Sequence, residues 1–172
     1  MNINLLQNRL VIFIGIGLVL ISIYFYLQKP KEKVIELYNF KTIYNENFQV
    51  KLTDGLEKEN VFIVDKVIDE ASVDKGLMYI NSMSPQNGLL FEFSPAEEVS
   101  FWMKNTYIPL DIIFINEENI VTNIAKNAKI LDTSLNYASV GKAKYVLEIN
   151  AGLADRLSII EGDKLILEKY AE

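Results

Sequence analysis

The chain reads as a mainly β protein: a single β-sandwich or barrel-like, jelly-roll-like domain with one or two short helices, preceded by a transmembrane helix. Three observations predict this. From Val61 onward short apolar runs alternate with turn residues, no stretch there keeps a long helical period, and an uncharged apolar run occupies the N-terminus.

In chain order, residues 1–9 form a short tail and residues 10–28 an anchor. Leu10 to Leu27 (LVIFIGIGLVLISIYFYL) carries no charge, and as a helix it is long enough to cross a hydrocarbon core of about 30 Å. A secretory leader needs small residues after its apolar core, whereas here SIYFYLQKPK follows, so retention as an anchor is expected. Tyr24, Tyr26 and Lys29 suit an interfacial belt. The lysines at 29, 31 and 33 outweigh Arg9 and favour a cytoplasmic domain by the positive-inside rule. Long domains, however, translocate largely regardless of nearby charge. The expected placement is a single-pass protein with its domain periplasmic or extracellular.

Residues 29–60 read as a partly ordered stalk. They begin with KPKEK and include a turn at Thr53-Asp54-Gly55, with VIELYNF suited to a short helix and FQVKL to an extra strand. Residues 61–172 form the β domain, with strand candidates VFIVDKV, GLMYI, LLFEF, VSFWM, LDIIFI, IVTNIA, YVLEI and KLILEK. Two helical turns interrupt them. One runs from Asp69 to Lys75 and ends at Gly76; the other runs from Ala151 to Leu157 with Asn150 as N-cap. Gly162 takes the left-handed position of the turn in IIEGDKLIL.

Composition removes several chemistries. With no cysteine and no histidine, the chain has no disulfide, no Ser-His-Asp or Cys-His nucleophile, no usual zinc site and no histidine-ligated haem. Carboxylates, lysines, tyrosines and hydroxyls remain. A net charge of −6 without a basic run argues against nucleic acid as a partner. No cofactor and no metal are expected, because no Asp-x-Asp-x-Asp-Gly loop occurs.

The stretch Ser100 to Asp111, SFWMKNTYIPLD, holds the candidate site. Read as a hairpin turning around Tyr107 and Ile108, it sets Lys104 opposite Asp111 and Trp102 opposite Ile113 on a largely apolar face. Such a pair either recognises a polar ligand or braces the sheet. Asn105 is suited to tying down the bend through its side chain. Trp102, the only tryptophan, offers with Tyr107 a stacking surface for a sugar ring or an aromatic partner, or else packs in the core. Glu148 in YVLEIN shares a face with Val146 and Asn150, and with Asp111 it would supply the two carboxylates that glycoside hydrolysis requires. The polar segment Tyr79 to Gly88 is either a binding loop or a surface connection.

FWMKNTYIPLDIIFI and YVLEINAGLADRLSIIEGDKL, preceded by KGLMYI and GLLFEF in the same order, resemble the bacterial and archaeal domain-of-unknown-function family 192 over roughly Val61 to Glu168. The resemblance implies a compact, mostly β domain, often exported or membrane-tethered, with no established activity. One position departs from it. Members usually carry an arginine just after the aromatic of the GLM block, where this chain has Ile80, so any role of that arginine is not carried over.

The sequence therefore points to a membrane-anchored, non-catalytic binding domain, whose partner is an envelope glycan or an envelope protein. Two alternatives stay open: a carboxylate-based hydrolase of envelope carbohydrate using Asp111 and Glu148 with Lys104 tuning one of them, and a structural or assembly component. The ligand-binding candidates are Trp102, Lys104, Asn105, Asp111 and Glu148.

Overall fold

A computed structural model describes residues 36–44, 47–56 and 59–170. The chain divides into units 1–35 and 36–172, and the fold described is that of the second. The expected anchor at Leu10 to Leu27 lies outside the described residues. Among those described, no helix is long and apolar enough to cross a membrane.

The mainly β expectation holds in the form of one curled sheet, a half-barrel, instead of two facing sheets. Its seven strands are β2 (Phe48–Thr53), β3 (Glu59–Val67), β5 (Asn87–Glu97), β7 (Leu110–Ile115), β8 (Val121–Ala128), β10 (Ala143–Asn150) and β11 (Lys164–Lys169). They lie in the order β11-β2-β3-β5-β10-β7-β8. All neighbours are antiparallel except β3 and β5. A parallel pair needs a crossover, and here it is made by the short helix α2 (Glu70–Lys75) and the strand β4 (Ile80–Ser82). Register shifts in β10 against β5 and in β7 against β8 add curl to the normal twist. The sheet's ends meet where Ile120 bridges Lys164, with Val121 N–H donating to the Asp163 carbonyl at 2.8 Å. Each edge is thereby partly covered.

Both faces of this sheet are buried, which explains why LDIIFI shows no alternation: all six residues of β7 are buried. The concave face encloses Val50, Leu52, Phe62, Leu90, Ile113, Leu147 and Ile149, closed by Leu153 and Ala154 of the helical turn α3 (Leu153–Arg156). The outer face carries Leu89, Phe91, Ile112, Phe114 and Val146. Its cover includes Phe40 and Tyr44, stacked at 4.8 Å on the turn α1 (Phe40–Ile43), together with Leu77, Ile80 and Met103. A parallel pairing of β1 (Tyr38–Asn39) with β4 holds α1 there.

Several local expectations are met. The short helix before Gly76 forms and Gly76 ends it, with Asp69 serving as its N-cap by accepting from Ser72 N–H at 3.0 Å instead of opening it, and Gly55 and Gly162 adopt positive φ. Others are corrected. The extra strand expected at FQVKL forms as Phe48–Thr53, but it lies inside the main sheet between β11 and β3, and its alternate residues Val50 and Leu52 fill the concave core. In KGLMYI only Ile80 enters a strand, and in VSFWM only Ser100 and Phe101, which form β6. Gly152, not Asn150, precedes α3 as its cap. Asn150 still belongs to β10, and its side-chain amide donates instead to the carbonyls of Met83 (2.9 Å) and Ser84 (3.2 Å).

The hairpin that was to set Lys104 against Asp111 does not form. Both sides of β7 are already taken, by β10 and β8, while β6 pairs with β9 (Tyr137–Ala138), aligning Phe101 with Tyr137. Between β6 and β7 the chain turns through Asn105 at φ 54°. Met103 N–H donates to Asp132 and Thr106 N–H to Met103.

Candidate functional site

The candidate cleft lies on the outer face of the sheet, between the end of α2 and the β5–β6 connection, and holds about 280 Å³. One wall is Val73 to Met78. Gly76 turns it at φ 44° and ψ −135°, a region closed to residues with a side chain, and the Tyr44 hydroxyl donates to the Gly76 carbonyl. The opposite wall runs from Glu97 through Trp102 and on to Lys104. Phe101 anchors it edge-on against Phe91 (4.9 Å between centroids) and Phe114 (6.1 Å). Thr106 and Glu148 complete the lining.

Glu148 is the chemically unusual group. It sits mid-strand in β10, flanked by β5 and β7, and is only 4% exposed. Its Oε2 has no hydrogen-bond partner, and burial pushes its carboxyl up to about 8. At neutral pH it is therefore mostly the neutral acid, a donor as well as an acceptor. Gly88 lets β5 approach at this point: a Cβ there would stand 2.9 Å from the Glu148 carbonyl oxygen. The Tyr44 phenol is also raised, first by burial and then by the fields of Glu148 and Asp65, and stays protonated.

Trp102 is 47% exposed, so the core-packing alternative for it is set aside. Lys104 Nζ lies 4.7 Å from its ring centroid, a cation–π contact rather than a pairing with Asp111. Of the five candidates, three line the cleft: Trp102, Lys104 and Glu148.

The other two are braces. Asn105 donates to the Tyr79 hydroxyl at 3.0 Å, and its carbonyl accepts from Tyr79 N–H at 2.8 Å. Asp111 is fully buried on the opposite, concave face. It accepts from Ala154 N–H (2.9 Å) in the first turn of α3 and from Asn127 N–H (2.8 Å) in the β8 irregularity. Across the antiparallel ladder Asp111 aligns with Ile149, while Glu148 aligns with Ile112. Directly opposed residues share a face, so the two carboxylates point into different layers. The two-carboxylate hydrolase is thereby withdrawn.

Tyr107 packs near Tyr79 at 6.5 Å and does not line the cleft. The Tyr79 to Gly88 segment is pinned by Asn150, and by Asn87 donating to the Ile63 carbonyl at 3.2 Å. Sequence reasoning missed the Gly76–Met78 wall and Glu97–Glu98. The adjacent acids ahead of an aromatic strand were the one available signal. Ile80, at the position of the family's arginine, is 1% exposed within the outer core. Among the described residues no group of three or more acidic residues is placed to hold a metal ion.

The described residues thus form a curled β half-barrel, a small mainly β domain with an aromatic-walled cleft beside a buried acid. The chain belongs to domain-of-unknown-function family 192, described as an uncharacterized ACR, whose model matches residues 52–167. It is similar to a crystal structure of a protein of unknown function from Novosphingobium aromaticivorans, at 40% identity and TM-score 0.66. That match covers 69% of this chain and 83% of the other. It is also similar to a "putative transcription regulator" from Sinorhizobium meliloti, at 34% identity and TM-score 0.68, covering 74% of this chain and 96% of the other. No curated protein matches the chain.

Proposed function

We propose that this protein is a membrane-tethered, non-catalytic binding domain that takes one ring of an envelope glycan into the Trp102–Glu148 cleft. The observation that carries the reading is that Glu148, whose buried Oε2 has no partner, lines a cleft with aromatic walls. Leaving a buried polar atom unpaired costs about 1–3 kcal/mol, a cost that a ligand hydroxyl or amine would recover. Trp102 supplies the exposed ring on which a sugar face stacks. A volume of about 280 Å³, at the small end of ligand clefts, suits a single ring of a longer chain. Tethering through Leu10 to Leu27, with the domain outside the cytoplasm, would hold the cleft against that polymer.

Full-length protein in lipid nanodiscs, titrated with soluble envelope oligosaccharides, tests the binding. Saturable quenching of the single tryptophan is expected, and in Trp102→Phe the heat of binding, followed by calorimetry, should be lost. Absence of heat for every glycan tried sinks the reading. External protease should digest the domain on intact cells; full protection removes the location.

An envelope protein is the second reading. It is favoured by Ile130, Leu131 and Leu135 before β9 and Val140 just after it, which lie 47–67% exposed.

A further inference from the structure

We propose that the group seated at Glu148 is a cation, the primary ammonium of an amino sugar whose amine is free. This rests on the glycan reading above and adds the ligand's charge to it. The first ground is the state of Glu148 itself. Its carboxyl is buried, its Oε2 is unpartnered, and it lines an open cleft. Buried carboxylates are ordinarily paired, and no cation of the described residues pairs with this one.

The surrounding charges give the second ground. Tyr44 on α1 is neutral and donates to Gly76. Asp65 on β3 adds a negative field at Tyr44. Asp74 and Lys75 come from α2, and Glu97 and Glu98 from the end of β5 and beyond. Lys104 lies over Trp102, and Lys66 on β3 is held by Glu92 at 2.7 Å. With Glu148 neutral, the cleft still counts three acids, Asp74, Glu97 and Glu98, against two lysines, Lys75 and Lys104, a small negative excess that favours positive charge. Aromatic walls of Phe93, Phe101 and Trp102 favour the same sign, because ring faces carry negative potential.

The chemistry balances as a proton exchange. Free protein holds Glu148 as the neutral acid. An arriving ammonium ion favours the carboxylate, so the proton leaves to solvent and an ion pair forms. A neutral sugar would hydrogen-bond the acid and release nothing. Proton release therefore distinguishes the two ligand types.

The test uses full-length protein in nanodiscs and three probes of equal length: a glucosamine trimer, its fully N-acetylated form and a glucose trimer. Calorimetry in buffers of differing ionisation enthalpy at pH 6, where the free sugar amines are mostly ammonium ions and Glu148 is the neutral acid, should give net release approaching one proton per glucosamine trimer. Its affinity should exceed the other two by about tenfold or more, the worth of a charge-assisted hydrogen bond. Glu148→Gln should abolish both the release and the preference. A double variant, Glu97→Gln with Glu98→Gln, alters only exposed side chains. It should lower glucosamine affinity severalfold while release persists. Equal binding of all three probes without proton release overturns this inference and leaves the glycan reading standing. Binding of none overturns both.

Discussion

Glu148→Gln should flatten the pH dependence of stability near neutrality. In the folded protein the carboxyl titrates at about 8, from an ordinary value of 4.5, because it is desolvated. A carboxyl raised on folding stabilises the fold while protonated, and that contribution is full below the unfolded value and lost as pH rises towards the folded one. Between those limits the folded state holds one more proton than the unfolded state. Unfolding free energy then falls by about 1.4 kcal/mol per pH unit, roughly 3 kcal/mol from pH 5 to 7 and about 5 kcal/mol over the whole interval. The chain suits the measurement, because without histidine no other side chain ordinarily titrates in that window. Urea unfolding of full-length protein at pH 5, 6, 7 and 8 gives the slope directly. The glutamine variant, which cannot ionise, should lose most of it and gain on the parent as pH rises. Parallel profiles would refute the reasoning, since they would mean that Glu148 is solvated or paired in solution.

Gly88→Ala should destabilise by about 1–3 kcal/mol, read from the urea midpoint, because its Cβ would lie 2.9 Å from a backbone oxygen of the paired strand. Asp111→Asn should cost about 2–3 kcal/mol by the same assay, since one amide oxygen cannot replace two carboxylate oxygens serving Ala154 and Asn127. It should leave Trp102 fluorescence unchanged, being on the other face of the sheet. Lys104→Ala should alter Trp102 emission by removing the ammonium 4.7 Å from the ring, with a stability change below about 1 kcal/mol. A large loss of stability there would show that Lys104 braces the fold.

Legibility in the sequence followed the range of the interaction that decides each feature. The stop at Gly76 and the turn at Gly162 are settled within a few residues, and both read correctly. The run LDIIFI read as a strand because β-branched and aromatic residues favour it. Its neighbours did not follow from proximity, because β7 takes β10, some thirty residues later, on one side and β8 on the other. That choice dissolved the Lys104–Asp111 hairpin. Alternation did place Glu148 with Val146, which lies on the outer face. Pairing it with Asp111 failed on register alone: one residue of offset along a ladder reverses the face.

The sequence by itself determined the mainly β composition of the domain, the chemistry denied by the missing histidine and cysteine, and the nearness of Trp102 and Lys104 along one short segment. Only the tertiary structure decided which carboxylate is committed and which is open. Asp111 and Glu148 are both acids set in apolar strands, and their local sequences look alike. Asp111 meets two backbone N–H groups brought from α3 and β8, while Glu148 meets a cleft walled by α2 and by residues 97–104. What covers a side chain is set by segments distant in sequence, and burial with or without a partner separates a brace from a site.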